Sequence, residues 1–378
     1  MNISEQKSLF ERYKEPSIFG RYLNNSSLKT WRDKLSPKIR LNHLGVSVEH
    51  RVIISLTIGS GSTKIFLWSQ MHGNESTTTK SVIDLLNVLS AENEFAAKIL
   101  SRCTIKVIPI LNPDGAEAYA RVNANTIDLN RDAQALSQPE SRILRDVFDR
   151  FKPDYCFNLH DQRSIFGAGA CNASATVSFL SPAEDAEISL TPNRKKAMTL
   201  IAQMNANLQQ QIPGQVGVYD DAYNANCVGD TFQALAPTIL FEAGQFKQDY
   251  QREITRQFIF QSLLVAMEHI ATPEVSTNDF SSYLDIPRNE KCFYDVIIRN
   301  TKQQDIAIQY EERLVGQSVD FVPKVVKIGP LNSEFAHLEL QANNQQVLSE
   351  KKEVLKVGSE IVCVMMNNEK IALKPKFI

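Results

Sequence analysis

The sequence predicts an α/β chain in two parts: a mixed, mostly parallel central sheet flanked by helices over residues 1–272, then a small, mainly β domain over residues 280–378. Three observations predict it. Several strand-like runs are almost wholly apolar, as expected where helices cover both faces of a sheet. Helical stretches alternate with those runs. After Ala271 the helical periodicity stops and only short strand-like runs remain.

Taken in order, residues 1–50 are polar and irregular until Leu44-Gly45-Val46-Ser47-Val48, which alternates like a strand. Strand-like runs follow at 52–57, 64–69, 104–111, 154–159, 176–180 and 238–242. Between them, residues 76–89 open with hydroxyl side chains able to cap a helix and carry Val82, Ile83, Leu85, Leu86 and Leu89 on one broad face. A second helix is predicted from Ser137, which makes a capping box with Glu140 ahead of an apolar stripe of Ile143, Leu144, Val147 and Phe148. Met198, Ile201, Met204 and Leu208 give residues 193–211 helical spacing, and residues 250–270 close the first part. Thr272-Pro273 and the polar stretch through Asp279 read as a linker. Short strands are then expected at 293–298, 306–310, 325–328, 337–340 and 360–365.

Bulk properties narrow the function. Lys and Arg total 41 against 43 Asp and Glu, a net charge of -2 that argues against a nucleic-acid footprint or a polybasic membrane patch. No apolar run approaches the roughly 20 residues of a membrane helix. The first residues lack a basic segment followed by an apolar one, so no export signal is expected. Six dispersed cysteines without a CxxC pair fit reduced core residues and a cytoplasmic protein. The expected partner is a peptide or other small molecule; the oligomeric state stays open.

The chemistry gathers at strand ends. In open α/β sheets, ligands bind beyond the carboxyl ends of strands. His72 and Glu75 follow Ile65-Phe66-Leu67-Trp68, His160 ends one strand and Glu242 another, while Asn112-Pro113-Asp114-Gly115 reverses the chain near the same edge. Imidazole and carboxylate suit catalytic zinc, which takes three protein ligands and keeps a position open. Zinc lowers the pKa of water and polarises a carbonyl, and Glu242 is placed to serve as base and then acid. Downstream, Asn130 with Arg131 forms a plausible clamp for a free carboxylate, and Arg121 is suited to a developing oxyanion.

With those residues in view, the chain resembles the M14 zinc metallocarboxypeptidases. The resemblance rests on H-x-x-E at His72 and Glu75, N-P-D-G followed by Arg121 and D-L-N-R-D, Leu159-His160, and Phe241-Glu242-Ala243-Gly244. It implies a carboxypeptidase-like fold and one zinc ion per chain held by His72, Glu75 and His160. It further implies that Arg121 polarises the scissile carbonyl, Asn130 and Arg131 hold the substrate carboxylate, and Glu242 activates water. A substrate-capping tyrosine is expected shortly before the base, with Tyr219 preferred over Tyr223. Cys227 and Asp230 fall near the expected floor of the specificity pocket. Ala133 stands where the family commonly has an aromatic residue, which alters the local pocket.

Other readings stand beside these. His43, His50, His269 and His337 read as structural, Asp128 and Asp132 as supports for the arginines, and Gly167-Ala168-Gly169 as a flexible loop over the cleft. The rival activities are zinc-dependent deacylation of N-acyl amino acids, and non-catalytic binding of peptide C-termini. A deacylase is expected to have its β domain roofing the site.

Overall fold

Eight strands of the first part share one sheet in the computed structural model, which describes residues 1–375 except 220–221, 273–278, 303 and 367. In chain order the strands are β1 (Arg40–Val46), β2 (Val52–Ile58), β3 (Thr63–Ser69), β4 (Cys103–Ile108), β5 (Tyr155–Asp161), β6 (Phe166–Ala168), β7 (Val177–Leu180), β8 (Val216–Val218) and β9 (Thr238–Ala243). All but β6 join the sheet, in the spatial order β1-β2-β4-β3-β5-β9-β7-β8. The pairs β3-β4, β3-β5, β5-β9 and β7-β8 are parallel; β1-β2, β2-β4 and β7-β9 are antiparallel.

Strand β3 shows why the apolar runs are continuous. Alternate side chains of a strand point to opposite faces. Ile65 and Leu67 join the core built with helices Thr77–Ser90, Pro192–Gln209 and Glu253–Ala271. Phe66 and Trp68 join the opposite core with helices Pro139–Phe151 and Val228–Gln233, where Phe66 meets Phe151 and Trp68 meets Phe232 edge-on.

Helix starts depart from the expectation in instructive ways. Ser76 does not cap the helix after it: its Oγ donates to the Arg21 carbonyl, and the Asp161 carboxylate accepts from the N–H groups of Thr77 and Thr78 at 2.9 and 3.3 Å. The helix expected from Ser137 begins at Pro139, whose fixed φ suits a first helical position. The expected capping box is absent, because Ser137 Oγ donates to Asp132 and Glu140 accepts from Val48 N. Residues 3–13 form a helix with a capping box of Asn2 and Glu5; only Gln6 and Phe10 are buried, so the stretch lacks a readable stripe. Asn112 caps a short helix, Pro113–Ala118, where a turn was expected.

A buried ion network ties the N-terminal segment to this body. Lys80 Nζ donates to Gly20 O at 2.8 Å and Glu253 Oε1 at 2.6 Å, while Lys14 and Arg256 hold the other Glu253 oxygen at 2.7 and 3.1 Å. Burial pushes Lys80 down to about 8, partly offset by Glu253. Burial would raise Glu253, but Lys80 and Arg256 bring it down to about 2. Because that folded value lies below the ordinary 4.5, the folded state holds fewer protons between the two, and stability present above about pH 4.5 is lost as pH falls through about 2. Glu253→Gln is expected to cost about 3 kcal/mol in urea unfolding at pH 7. The gap between wild type and variant should narrow in the same measurement repeated towards pH 2.

The linker expected at 272–279 falls mostly on 273–278, outside the described residues. Beyond it, β10 (Asn289–Lys291) precedes β11 (Phe293–Thr301), β12 (Asp305–Val315), β13 (Ser318–Gly329) and β14 (Phe335–Gln345), and the last four form a sheet in the order β13-β12-β11-β14. A smaller sheet of β15 (Leu348–Ser349), β16 (Cys363–Met366) and β17 (Glu369–Ala372) closes over it, enclosing a separate apolar core that includes Val296, Ile308, Val325 and Val364.

This β-rich part is firmly docked. Strand β10 pairs antiparallel with β6, so Gly167-Ala168 lies in a two-stranded ladder rather than a flexible loop. Tyr250 donates to Asp295 at 3.0 Å and stacks edge-on with Tyr310 and Phe321. His337 Nε2 lies 2.9 Å from the Ser164 carbonyl, a structural contact as expected. No helix among the described residues is long and apolar enough to cross a membrane.

Candidate active site

Parallel neighbours in register deliver their last residues side by side. Ser69 of β3 stands opposite Leu159 of β5, and His160 stands opposite Glu242 of β9. The turn after β3 then carries His72 and Glu75 against His160: Glu75 Oε1 lies 2.8 Å from His72 Nδ1, Glu75 Oε2 lies 2.8 Å from His160 Nδ1, and the two Nδ1 atoms are 3.1 Å apart. All three residues are buried, and among the described residues they form the cluster able to hold a metal ion.

Asp128 completes the arrangement. Its Oδ1 lies 3.0 Å from His72 Nε2, and its Oδ2 accepts from Arg121 Nε and Nη2 at 3.2 and 3.1 Å. Arg121 Nη1 also donates to Glu75 at 3.2 Å. Burial works against charge on both imidazoles. His72 is nevertheless held above its ordinary pKa by the Glu75 and Asp128 carboxylates, whereas His160, which has only Glu75, falls below. Burial would lift Glu75, yet the two histidines hold it far below the usual carboxylate range. Asp128 is held low in the same way, by His72 and Arg121 against burial. Asp128 therefore does more than support an arginine: as an anion it is placed to accept a proton from His72 Nε2, which would leave Nδ1 free to bind a metal. Sequence reading missed this role, although a metal-binding histidine generally needs such a partner.

The trio opens onto a cleft of about 410 Å³. The residues expected to bind metal or substrate or to act on it line the cleft: His72, Glu75, Arg121, Asn130, Arg131, His160, Tyr219 and Glu242. Cys227 and Asp230 line it too. Asn130 sits in the short 3-10 turn Leu129–Arg131, fixed through its Oδ1 by Val228 N at 3.2 Å and Cys227 Sγ at 3.5 Å. Arg131 donates to the Asn130 carbonyl at 2.8 Å and makes no ion pair among the described residues. Tyr219 donates to Gln162 Oε1 at 2.7 Å with its ring edge-on to Phe166, while Tyr223 is not among the lining residues. Gln162 and Arg163, just past His160, are lining residues that sequence reading did not single out.

A sequence profile described as zinc carboxypeptidase, the M14 peptidases, matches residues 25–236. The chain belongs to this family. Its zinc carboxypeptidase match ends before Glu242, whose place rests on the register with His160. A curated relative, probable carboxypeptidase 2 of Arthroderma benhamiae, is 36% identical over 102 residues, 26% of this chain and 19% of that protein. The chain thus spans about a fifth of the length of curated relatives such as this one. Among solved structures, a metallo-carboxypeptidase from Burkholderia cenocepacia superposes with a TM-score of 0.53 at 18% identity, over 67% of this chain and 70% of that one. A metallo-carboxypeptidase from Pseudomonas aeruginosa, in complex with (2-guanidinoethylmercapto)succinic acid, gives 0.54 at 15% identity over 67% and 69%. These two share the fold.

The zinc that this family uses fits the donor set. Bonds of about 2.0–2.1 Å to a tetrahedral ion separate ligand atoms by about 3.3 Å. The 3.1 Å between the two Nδ1 atoms is close to that edge. Two imidazole lone pairs facing each other at such a distance would repel unless a proton or a metal ion lay between them. His160 differs from His72 in having a buried Nε2 with no partner among the described residues.

Proposed function

We propose that the chain is a zinc-dependent metallocarboxypeptidase that hydrolyses the C-terminal peptide bond of a peptide. The carrying observation is one cleft that combines a metal-type trio, the strand-end carboxylate of Glu242 and an arginine with no carboxylate partner among the described residues.

Held by His72, Glu75 and His160, zinc would supply a Lewis acid that polarises the scissile carbonyl and acidifies water. The other steps belong to side chains of the cleft. Arg131 takes the substrate's free carboxylate in its guanidinium fork, and the side chain of Asn130 orients beside it. Arg121, half exposed and aligned by Asp128, donates to the oxyanion as the carbonyl is attacked. Glu242 removes a proton from the attacking water and returns it to the departing amine. Tyr219 covers the bound residue and limits water.

The deacylase reading has one observation in its favour: residues 309–312 of β12 wall a side arm of the cleft, so the β-rich part does border the site. One comparison separates the two readings and tests the clamp. Arg131→Ala is expected to raise KM for free-acid peptides about 100-fold and to leave the same peptides amidated at the C-terminus as poor as they are for wild type. Equal cleavage of acids and amides by wild type would sink the carboxypeptidase reading.

A further inference from the structure

The cleft continues past the metal-binding trio into an arm of about 330 Å³. The arm shares Glu75, Arg121, Asp161, Gln162 and Arg163 with the main cleft but none of Asn130, Arg131, Cys227 or Asp230. It therefore leads away from the clamp residues. A substrate with its carboxylate at Arg131 and its scissile carbonyl at the trio sends its acyl-side residues that way. A neighbouring cavity of about 300 Å³ meets the cleft at Leu180 and Tyr219 and touches no member of the trio.

Charge in the arm is unevenly engaged. The carboxylates lining it, Glu75 and Asp161 at the inner end and Glu311 and Glu312 on the β12 wall, already have cationic or backbone donors. Arg21, Arg121 and Arg252 are engaged as well, by Glu312, by Asp128 and Glu75, and by the carbonyls of Ala243 and Gln162. Arg163 is the exception. It lines both the main cleft and the arm, is exposed, and makes no hydrogen bond or ion pair among the described residues. In the same arm the Oδ1 of Asn74 is buried without a donor among the described residues, a polar atom that native structures normally satisfy.

We propose that Arg163 forms an anion-selective subsite on the acyl side of the scissile bond, so that the enzyme prefers peptides bearing a carboxylate on one of the two residues preceding the one released. This rests on the carboxypeptidase reading. The guanidinium offers two parallel donors, and a carboxylate on an acyl-side residue is the chemistry that matches them. Backbone N–H groups of the same stretch are suited to Asn74 Oδ1.

The test uses zinc-loaded protein and acetylated tripeptides in matched pairs. Each pair carries glutamate or glutamine either directly before the scissile bond or one residue earlier, with the terminal residue fixed as the one released fastest. The expected result is a kcat/KM about 10-fold higher for the glutamate member of at least one pair, a ratio that falls to about 1 in Arg163→Gln. In Arg163→Glu the preference should invert towards lysine-bearing peptides. Equal cleavage within both pairs by wild type, or a preference that survives Arg163→Gln, overturns the subsite and leaves the carboxypeptidase reading standing. No cleavage of any member by wild type overturns both.

Discussion

Glu242→Gln is expected to lower kcat about 1000-fold while leaving KM within a small factor and the zinc content unchanged. The reason is positional. Glu242 is the last residue but one of β9, directly opposite His160, so its carboxylate reaches the edge where the trio sits without belonging to the trio. Glutamine keeps the shape and hydrogen-bonding reach of the side chain but cannot accept a proton from water. The loss should therefore appear in the chemical step alone. Steady-state kinetics with metal analysis on the same preparations checks this, and a kcat within tenfold of wild type would remove Glu242 from its role as base.

The second large effect is expected on removing the metal. Chelation should abolish turnover and lower the melting temperature, and one equivalent of zinc per chain should restore both. Without a cation, His72 and His160 present two ring nitrogens to each other at 3.1 Å with Glu75 between them, an arrangement stable only while protons or a metal fill it. Asp128 supplies the finer test. Because its Oδ1 lies 3.0 Å from His72 Nε2, where it would hold the ring in the metal-binding tautomer, Asp128→Asn should weaken zinc binding about 10- to 100-fold in a competition titration without removing any ligand. Zinc binding unchanged in Asp128→Asn would show that the ring is oriented by packing alone.

The parts of the site legible in the sequence are those fixed by parallel strands. Residues 65–68, 156–159 and 239–241 are buried in the sheet, so apart from Asn158 they read as apolar runs; His160 and Glu242 directly follow two of them, and His72 lies four residues past the third. The proposed clamp could be read because Asn130 and Arg131 are adjacent, and both line the cleft. Asp128 was not, since an aspartate between two arginines reads as an ordinary ion pair until the fold brings His72 to it. Strand β6 was hidden for a related reason. Gly167 and Gly169 suggest a loop, and the strand exists because β10, more than a hundred residues later, supplies its partner. Arg163 carries no local signal at all: its meaning comes from the arm that β12 completes.

The most direct test of the central claim is mass spectrometry of the products formed from a mixed peptide library, half of it amidated at the C-terminus, by zinc-loaded protein and by Glu242→Gln. The account predicts loss of single C-terminal residues from free-acid peptides only, absent in the variant. Internal cleavage, trimming of the amides, or hydrolysis confined to N-acyl amino acids would contradict it.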